Sequence, residues 1–323
     1  MESQAQTLRT CSLCANPLVL RCNTCCVGLC SSCVEKHVSS NRGHNHDVSM
    51  YGDSPIFNQA RVLVNIKSPL KHIKRVSFLR GNEVWISGKD KGIRRVDING
   101  SEIGAVNTVS GIFPHDIAVS SSGNLLYSDF RTCAVMEVKE GVISSLIKYQ
   151  DWTPQGLCIT AAGELLVSLM KPNFSESKVN RYAGTKTIQE IQVDEKRKPI
   201  FGTGNFLLYL TENRNKDICI ADCNTNQVVV LNVYGKVRFR YNGLIASKSV
   251  TKFVPRCIGT DSKSQILVAD RENHVVHIIS RDGQFVSLID SCSLDHPCGL
   301  AVDDKDRLWI GEFDSGRLKV ISY

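Results

Sequence analysis

The chain has 323 residues, of which 42% are hydrophobic and 22% are charged, and its formal net charge is +7. This length allows one large core plus a small additional module. The longest apolar stretch, Phe206–Leu210, is far shorter than the about 20 residues that cross a bilayer. We therefore expect no membrane association, while the positive charge permits acidic partners.

Residues 1–10 lack the basic start and the apolar centre of a signal peptide, and we expect them to form a flexible tail. A chain without an export signal is expected in the cytoplasm, which is a reducing compartment. Clustered thiols bind metal ions there rather than pairing as disulfides.

Residues 11–50 contain a series of side chains that can bind metal ions. Three Cys-x2-Cys pairs are followed by two histidines, and a gap of two residues lets both thiolates of a pair reach one ion. Eight such donors are enough for two tetrahedral zinc sites. The donors are Cys11, Cys14, Cys22, Cys25, Cys30, Cys33, His37 and His46.

With His37 and His46 counted as a fourth pair, the four pairs can share the two ions either in sequence (first with second, third with fourth) or alternately (first with third, second with fourth). Only four residues separate Cys25 from Cys30, which predicts a short hairpin and favours the alternating arrangement. One ion would then bind Cys11, Cys14, Cys30 and Cys33, and the other would bind Cys22, Cys25, His37 and His46. Since protein side chains fill every position, both Zn²⁺ ions would be structural rather than catalytic.

This pattern resembles the B-box zinc finger of tripartite-motif proteins, over about forty residues and with all eight ligand positions filled. The resemblance implies the same alternating, cross-braced pairs. Cys14 and Cys25 stand where His and Asp are commoner in the family. The segment Arg42-Gly43-His44 resembles the usual end of the motif, which makes His44 a rival ligand to His37 or His46. Cys26 is expected to be a non-ligand.

Residues 51–69 are predicted to form a linker that ends in a strand at residues 61–66. No heptad repeat for a coiled coil follows His46, so we expect a monomer or a weak oligomer.

From residue 70 to residue 323, short β-rich runs alternate with turn residues, and a unit of about forty residues recurs. Four units open on a proline, at Pro114, Pro154, Pro255 and Pro297. An acidic residue ends the second strand of three of them, at Asp129, Asp270 and Glu312. This period predicts a mainly β fold, a six-bladed β-propeller. The fourth unit, starting near Asp194, carries extra residues around 196–205.

The last unit supplies only three strands, so the strand at residues 61–66 is the candidate for its fourth position. Such pairing would remove an open sheet edge. The repeat resembles the NHL family of six-bladed propellers, whose units read roughly Pro-x-Gly-Ile-Ala followed by an apolar strand ending in Asp. The resemblance covers about four-fifths of the chain.

Beside the B-box pattern, this repeat makes the chain resemble a TRIM-NHL protein without two family parts. No RING motif precedes Cys11, and no coiled coil follows His46. The resemblance implies a place in ubiquitin-ligase pathways. The missing RING implies that this chain is an adaptor, or a ligase component that works with a RING-bearing partner, rather than a ligase by itself.

In a propeller, the turns between second and third strands share one face with the loops that lead into each blade. Here these segments carry mostly cations, at Lys89, Lys91, Arg131, Arg256 and Arg271, together with His115 and Asp314. This face suits an acidic protein partner or, as resemblance to some NHL proteins allows, single-stranded RNA. Alternatively, these are ordinary solvated turn residues.

The predicted innermost strands are apolar and small, as in Ile117–Val119 and Leu300–Val302, and no nucleophile–base pair recurs in the repeat. The sequence therefore favours a zinc-binding interaction protein over an enzyme.

Overall fold

The computed structural model describes residues 11–14, 16, 20–22, 27–40, 46, 48–50, 60–243 and 252–323. The chain divides into two compact units, residues 1–59 and residues 60–323. The predicted tail at residues 1–10 lies outside the described residues.

The first unit contains a small antiparallel sheet and one short helix. The strands are β1 (Leu20–Cys22), β2 (Val27–Leu29) and β3 (Val48–Met50), with β1 in the middle. Helix α1 (Val34–Ser40) begins directly after Cys33. Among the described residues of this unit, the buried apolar cluster is formed by four cysteines and Leu29, with Leu20, Val27, Val34 and Val48 partly buried against it. Small modules of this size are commonly stabilised by disulfides or by structural metal ions.

The second unit is a six-bladed β-propeller, in which each blade is a four-stranded antiparallel sheet. The strands of the first three blades, from the innermost outward, are as follows. Blade 1 has β5 (Arg75–Arg80), β6 (Glu83–Ser87), β7 (Gly92–Asp97) and β8 (Glu102–Asn107). Blade 2 has β9 (Ile117–Val119), β10 (Leu125–Asp129), β11 (Ala134–Lys139) and β12 (Val142–Lys148). Blade 3 has β13 (Thr153–Ile159), β14 (Leu165–Met170), β15 (Ser177–Ala183) and β16 (Lys186–Ile191).

The other three blades have the same order. Blade 4 has β17 (Leu208–Glu212), β18 (Ile218–Asp222), β19 (Gln227–Leu231) and β20 (Val237–Tyr241). Blade 5 has β21 (Pro255–Thr260), β22 (Ile266–Asp270), β23 (Val275–Ile279) and β24 (Phe285–Ile289). Blade 6 has β25 (Pro297–Val302), β26 (Leu308–Glu312), β27 (Arg317–Ser322) and β4 (Arg61–Lys67). The predicted fold class is thus confirmed.

Blade 6 takes its outer strand from the beginning of the propeller. Strand β4 pairs antiparallel with β27, with Ile66 opposite Leu318 and Val64 opposite Val320. The inner strands of all six blades contact one another in a closed ring. Among the described residues, no helix is long and apolar enough to span a membrane.

The hydrophobic core lies between neighbouring blades rather than at one centre. Each of six buried clusters combines side chains from two adjacent blades, such as Ile220 of blade 4 with Leu166 of blade 3. Burial of these β-branched and leucine side chains is the main force that holds the ring together.

Two features of the repeat are explained by close contacts. A Cβ atom at Gly156 would collide with the carbonyl oxygen of Leu208 in the next blade, and one at Gly299 would lie 2.8 Å from the carbonyl carbon of Arg75. Glycine therefore lets adjacent inner strands approach.

The acidic residue at the end of the second strand stabilises the following turn. Asp222 Oδ1 accepts hydrogen bonds from the backbone N–H groups of Asn224 and Thr225, at 3.0 and 3.2 Å.

Candidate metal centres and loop face

The structure brings Cys11, Cys14, Cys30 and Cys33 together, with one sulfur from each within 4.8 Å of the others. Cys14 Sγ lies 3.6 Å from both Cys30 Sγ and Cys33 Sγ. A tetrahedral site with Zn–S bonds of about 2.3 Å has sulfur–sulfur distances of roughly 3.8 Å. Four cysteines with these separations could bind one metal ion.

Backbone turns hold these four cysteines in place. The N–H of Cys11 donates to the carbonyl of Asn16 at 2.8 Å, and the N–H of Cys33 donates to the carbonyl of Cys30 at 3.1 Å. A hydrogen bond from the Ser32 hydroxyl lowers the pKa of Cys30 to about 6, while the neighbouring thiols of Cys14 and Cys30 raise the pKa of Cys33 to about 12. Four thiolates this close repel one another, and a divalent cation would relieve that repulsion.

A second group combines Cys22 with His37 and His46, again with one donor atom from each within 4.8 Å. Cys22 Sγ lies 3.4 Å from His46 Nδ1, and the two imidazole centroids are 4.8 Å apart. His37 Nε2 is buried and has no hydrogen-bond partner among the described residues. A buried imidazole nitrogen without a hydrogen-bond partner is suited to binding a metal ion.

Helix α1 and the small sheet position this second group. His37 lies on the first turn of α1, where its N–H donates to the carbonyl of Cys33 at 3.0 Å, and Cys22 ends β1. Because Cys33 belongs to the first group and His37 to the second, one helical turn joins the two. The predicted ligand Cys25 and the rival ligand His44 lie outside the described residues, as does Cys26.

On the propeller, we define the loop face by two sets of segments. One set leads into the innermost strands, at residues 68–74, 108–116, 149–152, 192–207, 252–254 and 290–296. The other joins second to third strands, at residues 88–91, 130–133, 171–176, 223–226, 271–274 and 313–316. Antiparallel order within each blade places both sets at the same end of the ring.

The ring of Phe313, on blade 6, is the centre of a cationic cluster on the loop face. Lys89 Nζ lies 4.6 Å from its centroid, the guanidinium of Arg271 lies 4.5 Å from it, and the His72 ring lies 5.1 Å away. Lys89 and Arg271 belong to blades 1 and 5, so one aromatic ring gathers cations from both neighbouring blades. The quadrupole of an aromatic ring attracts a cation that lies over its face, and this attraction restricts the motion of the cationic side chain.

Similar pairs surround this cluster. Lys74 Nζ lies 3.8 Å from the centroid of Phe113, and the Arg256 guanidinium lies 5.0 Å from that of Phe206. The ring of His115 stacks on Phe130 with centroids 4.4 Å apart and planes 9° from parallel. The loop face therefore combines positive charge with aromatic surface.

The predicted face residues fall into two groups. Lys89, Arg256 and Arg271 each lie over an aromatic ring, but Arg256 is the second residue of strand β21 and not, as predicted, part of the loop before it. Lys91 and Arg131 are exposed in turns of blades 1 and 2, and within the described ranges no ring contact joins them to the cluster. Sequence reasoning missed the aromatic rings and Lys74. A signal was present, because Phe130 and Phe313 each follow the acidic residue that ends a second strand.

Arg75 closes the centre of the loop face. Its side chain is 3% exposed, its Nε lies 3.5 Å from Asp116 Oδ1, and its guanidinium packs over the ring of Tyr209. Burial raises the pKa of Asp116 to about 6, against the opposing effect of the Arg75 charge. Asp116 also accepts hydrogen bonds from the backbone N–H groups of Ile117 and Leu157, both at 2.9 Å.

The channel along the ring axis has a volume of about 270 Å³. Its lining includes one aliphatic side chain from each blade, namely Val76, Ile117, Leu157, Leu210, Ile258 and Leu300. Burial raises the pKa of the lining thiols Cys158 and Cys257 to about 12 and about 11. These thiols are protonated near neutral pH and therefore poor nucleophiles.

A comparison with curated sequences finds similarity to Protein brain tumor of Drosophila melanogaster, at 28% identity over 101 residues. The match spans 31% of this chain and 10% of the length of that protein. No family model matches the chain.

Solved structures with the same architecture have low sequence identity. A catalytically inactive virginiamycin B lyase from Staphylococcus aureus has a TM-score of 0.55 and 10% identity, covering 87% of this chain and 86% of that one. A gluconolactonase from Xanthomonas campestris has a TM-score of 0.59 and 13% identity, covering 78% and 86%. The WD40 propeller domain of Doa1 has a TM-score of 0.58 and 11% identity, covering 82% and 98%. These likenesses show a β-propeller fold, and the six four-stranded sheets of the larger unit give its number of blades.

Proposed function

We propose that the chain is a non-catalytic interaction protein of the TRIM-NHL type, which captures an acidic protein partner on the loop face of its propeller. The observation that carries the proposal is the cationic cluster around Phe313, where Lys89 and Arg271 from different blades share one ring. Arginine and aromatic side chains are the residues that contribute most to protein–protein interfaces.

The domain organisation follows from the same proposal. Residues 11–50 would form a B-box-type module with two structural Zn²⁺ ions, residues 51–69 a linker with a strand, and residues 70–323 the NHL-like propeller. Support comes from the alternating order in which the two donor groups gather and from the buried, unpartnered Nε2 of His37. By its resemblance to B-box proteins, the chain would act as a cytoplasmic adaptor in ubiquitin-ligase pathways, beside a RING-bearing partner.

Preorganised cations favour an acidic partner for a physical reason. A lysine or arginine that is free in solution loses side-chain entropy when it binds, whereas one already held over a ring has lost most of it. Lys74, Lys89, Arg256 and Arg271 are held in this way. Their charges also accelerate the approach of an acidic surface.

Affinity capture with the full chain tests this proposal. The triple variant Lys89→Glu, Arg256→Glu, Arg271→Glu should lose the proteins that the wild type retains, and their retention should fall with rising salt. The matched control is Lys139→Glu, Lys186→Glu, Arg214→Glu, whose exposed side chains flank turns at the opposite end of the ring. Equal capture by both variants would place the binding surface elsewhere.

Single-stranded RNA is the second candidate ligand, and exposed aromatic rings on the loop face favour it. The side chains of Phe174 and Phe206 are 46% and 45% exposed, and Arg256 lies over Phe206. Bases stack on such rings while cations bind the phosphates. Titration of the full chain with an oligouridylate should give saturable binding that weakens steeply between two salt concentrations. Absence of binding at low salt would leave the protein partner as the remaining candidate.

A further inference from the structure

A group of histidines and aspartates lies on the loop face of the propeller. His274 ends the turn between the second and third strands of blade 5. Asp295 and His296 lie directly before β25 of blade 6, and Asp314 lies in the turn after β26. Three segments from two blades therefore converge, which no spacing in the sequence indicates.

The carboxylates of Asp295 and Asp314 compete for one donor. Asp295 Oδ1 lies 3.0 Å and Asp314 Oδ2 lies 2.9 Å from the same atom, Nδ1 of His296. This nitrogen carries at most one proton, so it cannot donate to both carboxylates. Within this group the two carboxylates carry more negative charge than the single proton balances, and a bound cation would balance the remainder beside Arg271 and Lys89 on the adjoining Phe313 ring.

The distances gather His274, Asp295 and His296 into one group, which Asp314 joins through its 2.9 Å approach to His296 Nδ1. A tetrahedral site with bonds of about 2.0 Å has ligand–ligand distances of roughly 3.3 Å, close to the separations of His296 Nδ1 from the two carboxylates. The imidazole of His274 packs against that of His296 with centroids 4.3 Å apart, and one donor atom each of His274, Asp295 and His296 falls within 4.8 Å. The Nδ1 of His274 accepts a hydrogen bond from the backbone N–H of His296 at 3.1 Å, which holds this exposed ring beside the group.

We propose that His274, Asp295, His296 and Asp314 form a binding site for a divalent transition-metal ion such as Zn²⁺. The metal would replace the proton on His296 Nδ1. Two imidazoles with two carboxylates suit Zn²⁺ and its neighbours, whereas Ca²⁺ takes six to eight oxygen ligands. The site is separate from the two cysteine-containing groups and shares no ligand with them.

The surrounding structure holds Asp295 and His296, two of the three blade 6 ligands, in position. The backbone N–H of Asp295 donates to Glu312 Oε1 at 3.0 Å, and the buried ammonium of Lys319 lies 2.7 Å from the same oxygen. The N–H of Phe313 donates to the carbonyl of His296 at 3.1 Å. The metal would therefore join blade 5 to blade 6 directly beside Phe313, and its charge would make the loop face more positive.

The test is a calorimetric titration of Zn²⁺ into the purified full chain, compared with the double variant His274→Asn, His296→Asn. Both histidines have positive φ values, 58° and 45°, which asparagine tolerates, so the variant removes the imidazoles and keeps the turns. The control is His72→Asn, which removes another loop-face histidine. We expect the wild type and the control to bind one equivalent of Zn²⁺ more than the double variant. Equal stoichiometry in all three proteins would overturn the proposal, whatever the cysteine-rich unit binds.

A second measurement uses the wild type alone and does not depend on a variant that folds. Modification by diethyl pyrocarbonate, located by mass spectrometry, should be slowed by Zn²⁺ at His274 and His296 and unchanged at His72. Modification at equal rates with and without Zn²⁺ would contradict the site.

Discussion

The guanidinium of Arg75 lies 3.5 Å from the ring centroid of Tyr209, and this contact joins blade 1 to blade 4 across the centre of the propeller. The same side chain pairs with Asp116 of the lead-in segment of blade 2. One buried arginine thus connects three blades at the loop face.

Loss of Arg75 should strongly destabilise the propeller. Arg75→Leu leaves the buried Asp116 carboxylate without its cation, and we expect the free energy of unfolding to fall by about 3–5 kcal/mol. Arg75→Lys keeps the charge but loses the planar contact with Tyr209, so its effect should be smaller. Urea denaturation followed by tryptophan fluorescence measures both. Wild-type stability in Arg75→Leu would show that this charge pair does not contribute.

Asp116 should make stability depend on pH between about 4 and 6. Its pKa rises from 3.8 in the unfolded chain to about 6 in the folded protein, so the folded protein keeps a proton that the unfolded chain has lost. The contribution of this group to stability is therefore largest below pH 4 and decreases as pH rises through 6. The stability of wild type relative to Asp116→Asn should fall by about 2 kcal/mol between pH 4 and pH 7. A constant difference would contradict the raised pKa.

Two lysine–glutamate pairs of similar length should differ in their contribution to stability. Lys319 and Glu312 lie 2.7 Å apart with side chains 7% and 1% exposed, whereas Lys236 and Glu195 lie 2.6 Å apart with 62% and 73% exposed. We expect Lys319→Met to lower the free energy of unfolding by about 3–5 kcal/mol and Lys236→Met by about 0–1 kcal/mol. Chemical denaturation of both variants is the measurement, and equal effects would be contrary to this expectation.

Gly156 should not tolerate a side chain, while Gly104 should. A Cβ atom at Gly156 collides with the Leu208 backbone, whereas at Gly104 its nearest neighbour is Arg95 Cβ at 3.5 Å. We expect Gly156→Ala to lower the free energy of unfolding by about 1–3 kcal/mol and Gly104→Ala to change it by less than about 1 kcal/mol. A Gly156→Ala propeller as stable as Gly104→Ala would mean that adjacent blades can separate at little cost.

Removal of zinc from the cysteine-rich unit should leave the propeller folded. In the His274→Asn, His296→Asn background, which lacks the proposed propeller site, elemental analysis should give two equivalents if both cysteine-containing groups bind zinc, and about one after the further change Cys30→Ser, whose first group lacks a ligand. Cys133→Ser, a propeller thiol, is the matched control and should keep both. Because residues 60–323 form a separate compact unit, chelation should leave the unfolding transition of the propeller unchanged. Fewer than one equivalent in reduced wild-type protein would rule out the zinc assignment.

The fold could be predicted because its signals are local and repeated. Short apolar runs that alternate with turns at a period of about forty residues predict six blades. Gly156 and Gly299 lie where the inner strands of adjacent blades come closest to each other. In the fourth unit, the predicted start near Asp194 and the extra residues around 196–205 fall in the long segment 192–207 before its first strand at Leu208. The repeat could not predict that Ile200 and Phe201 of this segment fill the core.

The sites differ in how far sequence could identify them. Close spacing brings the cysteine pairs together, so candidate ligands could be named without coordinates. The cluster around Phe313 and the group around His296 are assembled from different blades, and residues such as His274 and Asp314 are forty positions apart in the chain. The distances between side chains of different blades depend on how the six blades pack into a closed ring. Local sequence patterns do not contain this information.

The pairing of β4 with β27 has a consequence for biosynthesis. Asn65 and its partner Arg317 are separated by 252 positions. At the usual pace of translation, roughly 10–50 s pass between the appearance of the first strand and that of its partner. During this interval the strand that contains Val62 and Leu63 has no partner strand for its backbone hydrogen bonds. We therefore expect chaperones at the ribosome to bind the nascent chain there.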